Sequence, residues 1–214
     1  MIKLVCFDVN GTILDDTGIF LNAINGIFEE FGKAKLPLDV LRKRFGQPWT
    51  KIYREEGISE KIANDERLYE IYNKLYIGQG AAKIFPDIGP VLERLKKNGM
   101  KLAIVSTQQN TITVPILEKA GIKTYFDIIK GAVDNKAGAI KEIMGELDIL
   151  PDQAVYIGDQ EGDIFHAKQA GCISVGFCGG LHDMERLKNK EPDFIIYGYN
   201  ELKDLPIFKN GPLA

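Results

Sequence analysis

Five polar side chains, each at the end of an apolar run or at the head of the segment after one, are the part of this chain equipped for chemistry: Asp8, Ser106, Lys136, Asp159 and Asp163. Ile2, Leu4, Val5, Cys6 and Phe7 form a short run of strand formers that stops at Asp8, and Gly11 marks a tight loop beyond it. Ser106 and Thr107 end a second run, Gly158 and Asp159 a later one with Asp163 close behind, and Lys136 opens a helical segment. In an open parallel sheet the carboxyl ends of the strands share one rim, and ligands bind there. Three carboxylates in one crevice repel unless a cation sits among them, and an oxygen-only ligand set suits magnesium. A hydroxyl and an ammonium beside that cation make a cradle for phosphate. Taken alone, Asp8 reads first as a turn residue or a helix cap; the set gives it a chemical meaning.

The elements that must position these residues follow from periodicity. Ile24, Ile27, Phe28 and Phe31 recur at helical spacing, with Gly32 as terminator, and further helices are predicted over 39–45, 49–56 and 60–76. Nothing from Asp15 to Gln79 reads as a strand, which predicts an all-helical insertion. Beyond Phe85 the alternation is regular: helices over 87–98, 110–120, 136–147, 163–170 and 181–188 interleave with strands over 101–105, 126–129, 154–157, 172–175 and 194–196. Repeated helix–strand units with short connections predict an α/β fold, a Rossmann-like parallel sheet covered by helices on both faces. The expected division is a core of residues 1–14 and 80–214 and a helical domain of residues 15–79, with a loose tail at 210–214.

The 214 residues are 45% apolar and 27% charged, ordinary for a soluble globular chain, and a net charge of -3 gives no reason to expect nucleic acid or an anionic membrane as partner. Cys6, Cys172 and Cys178 form no CxxC pair, and two histidines offer no zinc spacing. Asp8 arrives before any signal-peptide apolar region develops, and no apolar run approaches a membrane span, so a reducing cytoplasm is the expected compartment.

Four segments in order, 7–12 (FDVNGT), 105–107 (VST), Lys136 and 157–163 (IGDQEGD), resemble the ordered motifs of the haloacid dehalogenase superfamily, most of whose members are magnesium-dependent phosphatases. The resemblance covers nearly the whole chain, and the helical insertion is similar to the cap of phosphoglycolate phosphatase-like and β-phosphoglucomutase-like members. It implies Asp8 as the nucleophile that forms an aspartyl-phosphate. It also implies Mg2+ held by Asp8, Asp159 and the backbone carbonyl of Asn10, with Asp163 acting through water. Ser106, Thr107 and Gly11 would bind the phosphoryl group of a small phosphorylated metabolite. Lys136 would balance the charge of both Asp8 and the phosphate. Without it, each like-charge pair at about 4 Å costs roughly 4 kcal/mol at an effective dielectric of about 20.

Asn10 departs from this pattern, because phosphatases of the family usually carry an aspartate there that protonates the leaving alcohol and later activates water. An amide cannot exchange a proton near neutral pH, and losing general acid–base help lowers rates by a factor of about 10² to 10⁴. Four readings stand at this point. The asparagine is an introduced change that traps an intermediate; the substrates carry good leaving groups, such as acyl phosphates; the chain resembles phosphonoacetaldehyde hydrolase, with Lys43 or Lys51 forming a Schiff base; or it is a catalytically silent phosphate-binding regulator. The dehalogenase branch, which lacks the metal-binding Gly-Asp, is disfavoured by Gly158 and Asp159.

Other features take plainer readings. Arg42, Lys43, Arg44, Lys51 and Arg54 read as a solvated basic face. Trp49 reads either as packing or as a pocket wall, and residues 108–110 either as a helix cap or as substrate contacts. His166 reads as structural, and the glycine-rich stretch 176–180, which lacks GxGxxG, as a mobile loop near the rim.

Overall fold

A computed structural model describes residues 1–58, 66–80 and 82–209. Its centre is a six-stranded sheet built from β1 (Leu4–Phe7), β4 (Lys101–Val105), β5 (Ile128–Lys130), β6 (Ala154–Gly158), β7 (Ile173–Phe177) and β8 (Phe194–Ile196), in the order β5-β4-β1-β6-β7-β8 with every neighbouring pair parallel. β1 is fully buried along its length, which is why its sequence is a continuous apolar run without alternation. It lies between β4 and β6, with Phe7 level with Ile104 on one side and Ile157 on the other. The chain order reverses about β1, so the residues just after Phe7, Val105 and Gly158 stand at the switch point of the sheet.

The helices cover the sheet by their apolar stripes. In Ile88–Lys97 the residues Ile88, Val91, Leu92 and Leu95 are buried at i, i+3, i+4 and i+7, while Arg94, Lys96 and Lys97 fill the last turn. The helix Lys136–Glu146 lies over a cluster that includes Leu4, Cys6, Val105, Ile140, Ile143 and Tyr156. The helix Glu161–Ala170 ends at Gly171, whose φ of 81° is the left-handed conformation that closes a helix. Cys6 and Cys172 are buried free thiols, and Cys178 is a partly buried one.

Two compact units are present: Met1–Asp15 with the chain from Lys83 onward, and Asp16–Ala82. The second is helical, with Thr17–Glu30, Leu38–Arg44, Lys51–Glu55 and Glu66–Gly78. Trp49 packs edge-on against Tyr53 and Tyr69 and meets Tyr72, so it serves the aromatic centre of this unit. The Tyr76 hydroxyl donates to Asp16 Oδ2 at 2.6 Å. Part of the helix expected over 60–76, and the expected loose tail at 210–214, lie outside the described residues.

Three local expectations are corrected. Leu14–Asp15 (β2) pairs antiparallel with Lys83–Ile84 (β3), a ladder two residues long and so without any alternation to read. β5 begins at Ile128, not 126, because a 3₁₀ turn over Lys123–Tyr125 precedes it and Asp127 turns its carboxylate onto the Leu102 N–H at 2.9 Å. The helix expected over 181–188 is only Met184–Lys188, since Asp183 caps it by accepting from the Arg186 N–H at 3.0 Å.

Candidate active site

Three strand ends and two helix starts build the site. Asp8 follows β1 and is itself tied to the ladder, its N–H donating to Ile157 O at 2.9 Å. Asp159 follows β6, the adjacent strand. Asp163 lies in the first turn of Glu161–Ala170, where its Oδ2 accepts the Gln160 N–H at 2.9 Å and so caps the helix. Lys136 is the first residue of its helix, set there by Asn135, whose side chain accepts from the Gly138 N–H at 3.1 Å. Carboxylate oxygens of Asp8, Asp159 and Asp163 come within 4.8 Å of one another, and all three residues are buried.

Lys136 joins two of these carboxylates. Its Nζ lies 2.7 Å from Asp163 Oδ1 and 2.9 Å from Asp8 Oδ1. The contact to Asp8 is an ion pair, and among the described residues that buried oxygen has no well-aligned hydrogen-bond donor. The Tyr156 hydroxyl bonds Val105 O at 3.0 Å and lies 3.3 Å from Asp163 Oδ1, and its ring sits 5.8 Å from the ammonium. Burial pushes the Asp8 carboxyl up to about 6; Lys136 opposes that rise and Asp163 adds to it. Burial also works against the Lys136 charge, but Asp163 and Asp8 outweigh it and hold the ammonium above the usual lysine range.

The donor set fits a divalent cation. Three buried carboxylates against one ammonium leave two negative charges uncompensated within this group, and among the described residues one oxygen of Asp8 has no well-aligned donor. Among the described residues the cluster is oxygen-only, which suits magnesium. Asp163 already has Lys136 on one oxygen and the Gln160 N–H on the other, so it suits contact through water better than direct ligation.

Around Asp159 the backbone closes tightly. A Cβ on Gly11, whose φ is 67°, would stand 2.2 Å from Asp159 Oδ2, so both the turn and the contact require glycine. Thr12 Oγ1 donates to Asp159 Oδ1 at 3.4 Å, and the Leu181 N–H donates to Oδ2 at 2.7 Å. The stretch 176–180, expected as a mobile loop, instead begins inside β7 and continues over Asp159.

Ser106 is buried one residue beyond β4, with its Oγ accepting the Gln108 N–H at 3.2 Å, and Thr107 beside it is exposed. Asn10 is partly buried and makes an isolated bridge to Leu14. Gln108 is buried and accepts from the Thr113 hydroxyl at 3.0 Å, so its side chain serves the fold. In the helical unit Arg44 pairs with Glu55 and Glu56 and Lys51 with Glu55, while Lys43 is exposed, as on a solvated face. Tyr156 and Leu181 are contacts that no motif announced, since a tyrosine in an apolar strand and a main-chain N–H carry no pattern of their own; Thr12 closes the 7–12 motif, but its contact with Asp159 has no sequence signal.

The sequence pattern of haloacid dehalogenase-like hydrolases matches residues 5–177. The chain is similar to a phosphoglycolate phosphatase of Pasteurella multocida, 24% identical over 94% of this chain and 96% of that protein. It is likewise similar to a phosphoglycolate phosphatase of Aquifex aeolicus, 27% identical over 95% of this chain and 96% of that protein. A solved haloacid dehalogenase-like hydrolase from Streptococcus pneumoniae superposes with a TM-score of 0.82 at 26% identity, over 94% of this chain and 96% of that one. On this match, which spans the strand ends and helix starts that carry Asp8, Lys136, Asp159 and Asp163, the chain belongs to the haloacid dehalogenase-like hydrolases.

Proposed function

We propose that this hydrolase is a magnesium-dependent phosphatase that takes phosphate from a small phosphorylated metabolite by way of an aspartyl-phosphate on Asp8. The observation that supports it most is the buried cluster of Asp8, Asp159 and Asp163, two of them paired with the Lys136 ammonium, at the carboxyl end of the central strand. An Asp8 oxygen attacks phosphorus, the bond to the leaving oxygen breaks, and water then cleaves the acyl phosphate to return the carboxylate. Lys136 offsets the charge that otherwise keeps an anionic nucleophile from an anionic phosphate. Ser106 and Thr107 donate hydroxyls to the phosphoryl oxygens, and Gly11 lets the backbone approach them. Asp8, Asp159 and the Asn10 carbonyl would hold magnesium directly and Asp163 through water; when bound, the ion supplies positive charge to phosphoryl oxygens as negative charge gathers there.

Asn10 leaves the departing oxygen without a proton donor at that position, which favours leaving groups stable as anions, such as the carboxylate of an acyl phosphate. Phosphoglycolate, named in the relatives' descriptions, is the alkyl phosphate to set against it. The helical unit would act as the cap that selects the substrate. Lys43 and Lys51 are exposed, and Lys51 lies 3.7 Å from Glu55, surroundings that lend no support to a Schiff-base lysine. Asn10 also favours a second reading, a phosphate-binding protein without turnover.

Release of phosphate from acetyl phosphate, p-nitrophenyl phosphate and phosphoglycolate, with and without Mg2+, tests both. Mg2+-dependent release from any of them supports the enzyme. Silence from both the wild type and Asn10→Asp refutes it, and phosphate binding by that silent protein supports the second reading.

A further inference from the structure

Between β7 and the helix Met184–Lys188, residues 178–183 run over Asp159 as a strap. We propose that His182 is a positioning residue: its buried imidazole locks this strap and thereby holds the Asp159 carboxylate in the orientation that takes the divalent cation. The inference rests on the magnesium reading above.

The strap grips Asp159 by its backbone. The Leu181 N–H donates to Asp159 Oδ2 at 2.7 Å, and the His182 N–H donates to the Asp159 carbonyl at 3.3 Å. At Gly180 a Cβ would stand 2.3 Å from the Gly11 carbonyl and 2.4 Å from Asp159 Oδ2, so the strap lies against both the carboxylate and the loop after Asp8. Main-chain donors of this kind work only if the segment carrying them stays in place. A short loop with two adjacent glycines has little rigidity of its own.

His182 supplies that rigidity. It is 1% exposed, and its Nδ1 accepts the Glu161 N–H at 3.0 Å. Glu161 opens the helix Glu161–Ala170, whose first N–H groups have no partner within the helix, so the imidazole caps the same helix start that carries Asp163. A second tie runs beside it. Arg186 pairs with the Glu161 carboxylate through Nε, and Asp183 accepts the Arg186 N–H at 3.0 Å. The ring thus links the grip on Asp159 to the turn that presents Asp163. Groups that orient a metal ligand without touching the metal typically change metal affinity by about 10- to 100-fold when removed.

The test compares His182→Leu, which keeps bulk and burial but offers no acceptor, with His182→Asn, whose amide oxygen can take the Glu161 N–H. Isothermal titration with Mg2+ is expected to show binding about 10- to 100-fold weaker in His182→Leu and within a few-fold of wild type in His182→Asn. For a substrate the wild type turns over, the Mg2+ concentration for half-activation should rise in parallel, while KM at saturating Mg2+ stays near the wild-type value. A merely structural role would lower Tm in both variants and leave the Mg2+ affinity unmoved. Folded His182→Leu that binds Mg2+ within twofold of wild type overturns the proposal. If His182→Leu fails to fold, His182→Gln, whose acceptor sits one methylene out of register, takes its place under the same criterion. Failure of the wild type itself to bind Mg2+ overturns the metal reading and this inference with it.

Discussion

The Lys136 ammonium stands 2.7 Å from Asp163 Oδ1, and the two side chains are almost wholly buried. Neither is stable there alone, and the lysine is shared, since Asp8 Oδ1 is 2.9 Å away on another side. Removing one partner of a buried ion pair typically destabilises by about 3–5 kcal/mol, because the other charge is left unpaired. Lys136→Met should therefore lower stability by about that amount in chelator-treated protein and abolish phosphate release. Urea denaturation with and without Mg2+ measures it, and the ion should recover part of the loss. A variant as stable as wild type in chelator would show that the pair contributes little.

Asp8 gives the metal-free protein a pH dependence of unusual sign for an aspartate. Its folded carboxyl is pushed from an ordinary 3.8 up to about 6, so the native state binds this proton more tightly than the unfolded chain. That contribution to stability is fully present below the ordinary value and is lost as pH rises through about 6. At roughly 1.4 kcal/mol for each tenfold change in proton affinity, the loss is about 3 kcal/mol. Melting in chelator from pH 4 to pH 7 should show it as a falling component that Asp8→Asn removes. Asp8→Asn should also melt higher than wild type at pH 7 without metal, and release no phosphate. Equal pH profiles for the two proteins would contradict the assignment.

Asn10→Asp restores a carboxyl able to pass a proton to the departing oxygen. Turnover of an alkyl phosphate should rise by about 10²- to 10⁴-fold, and acetyl phosphate, whose leaving group needs no proton, should change far less. Steady-state kcat/KM for the two substrates is the comparison. An equal change for both would remove leaving-group protonation as the explanation.

Tyr156→Phe deletes the hydroxyl that bonds Val105 O and lies beside Asp163, while keeping the ring near Lys136. A stability loss of about 1–3 kcal/mol is expected, since the variant leaves a buried acceptor without its donor. Thermal unfolding and kcat together separate the two roles: a fall in Tm with kcat within a few-fold marks a supporting residue.

Much of this arrangement is legible in the chain itself, for a physical reason. Asp8, Ser106 and Asp159 each interrupt an apolar run where a parallel strand must end, and parallel strands bring such ends to one rim whatever their sequence separation. Lys136 is visible at the head of its helix on the same grounds. The tightening around Asp159 is not legible, because Thr12, Gly180 and Leu181 act through reach and main-chain direction, which periodicity does not encode. The stretch 176–180 looks like mobile chain for its glycines, yet Gly180 among them permits the close approach to Asp159. Asp183 ahead of Met184 was an available capping signal that would have started the helix correctly. The β2–β3 pair offered none, being two residues long.

That small ladder reaches past its size. Because Leu14 and Asp15 are fastened to Ile84 and Lys83, the sheet-bearing unit meets the whole helical excursion as a loop whose feet are already tied together. The entropy of closing a loop grows only slowly with its length, so the excursion can lengthen, shorten or be exchanged for a foreign one at little expense to the rest. Substrate preference, where that excursion governs it, is then free to diverge among descendants that keep the same chemistry, and chimaeras joined at this ladder are the natural way to move one preference onto another scaffold.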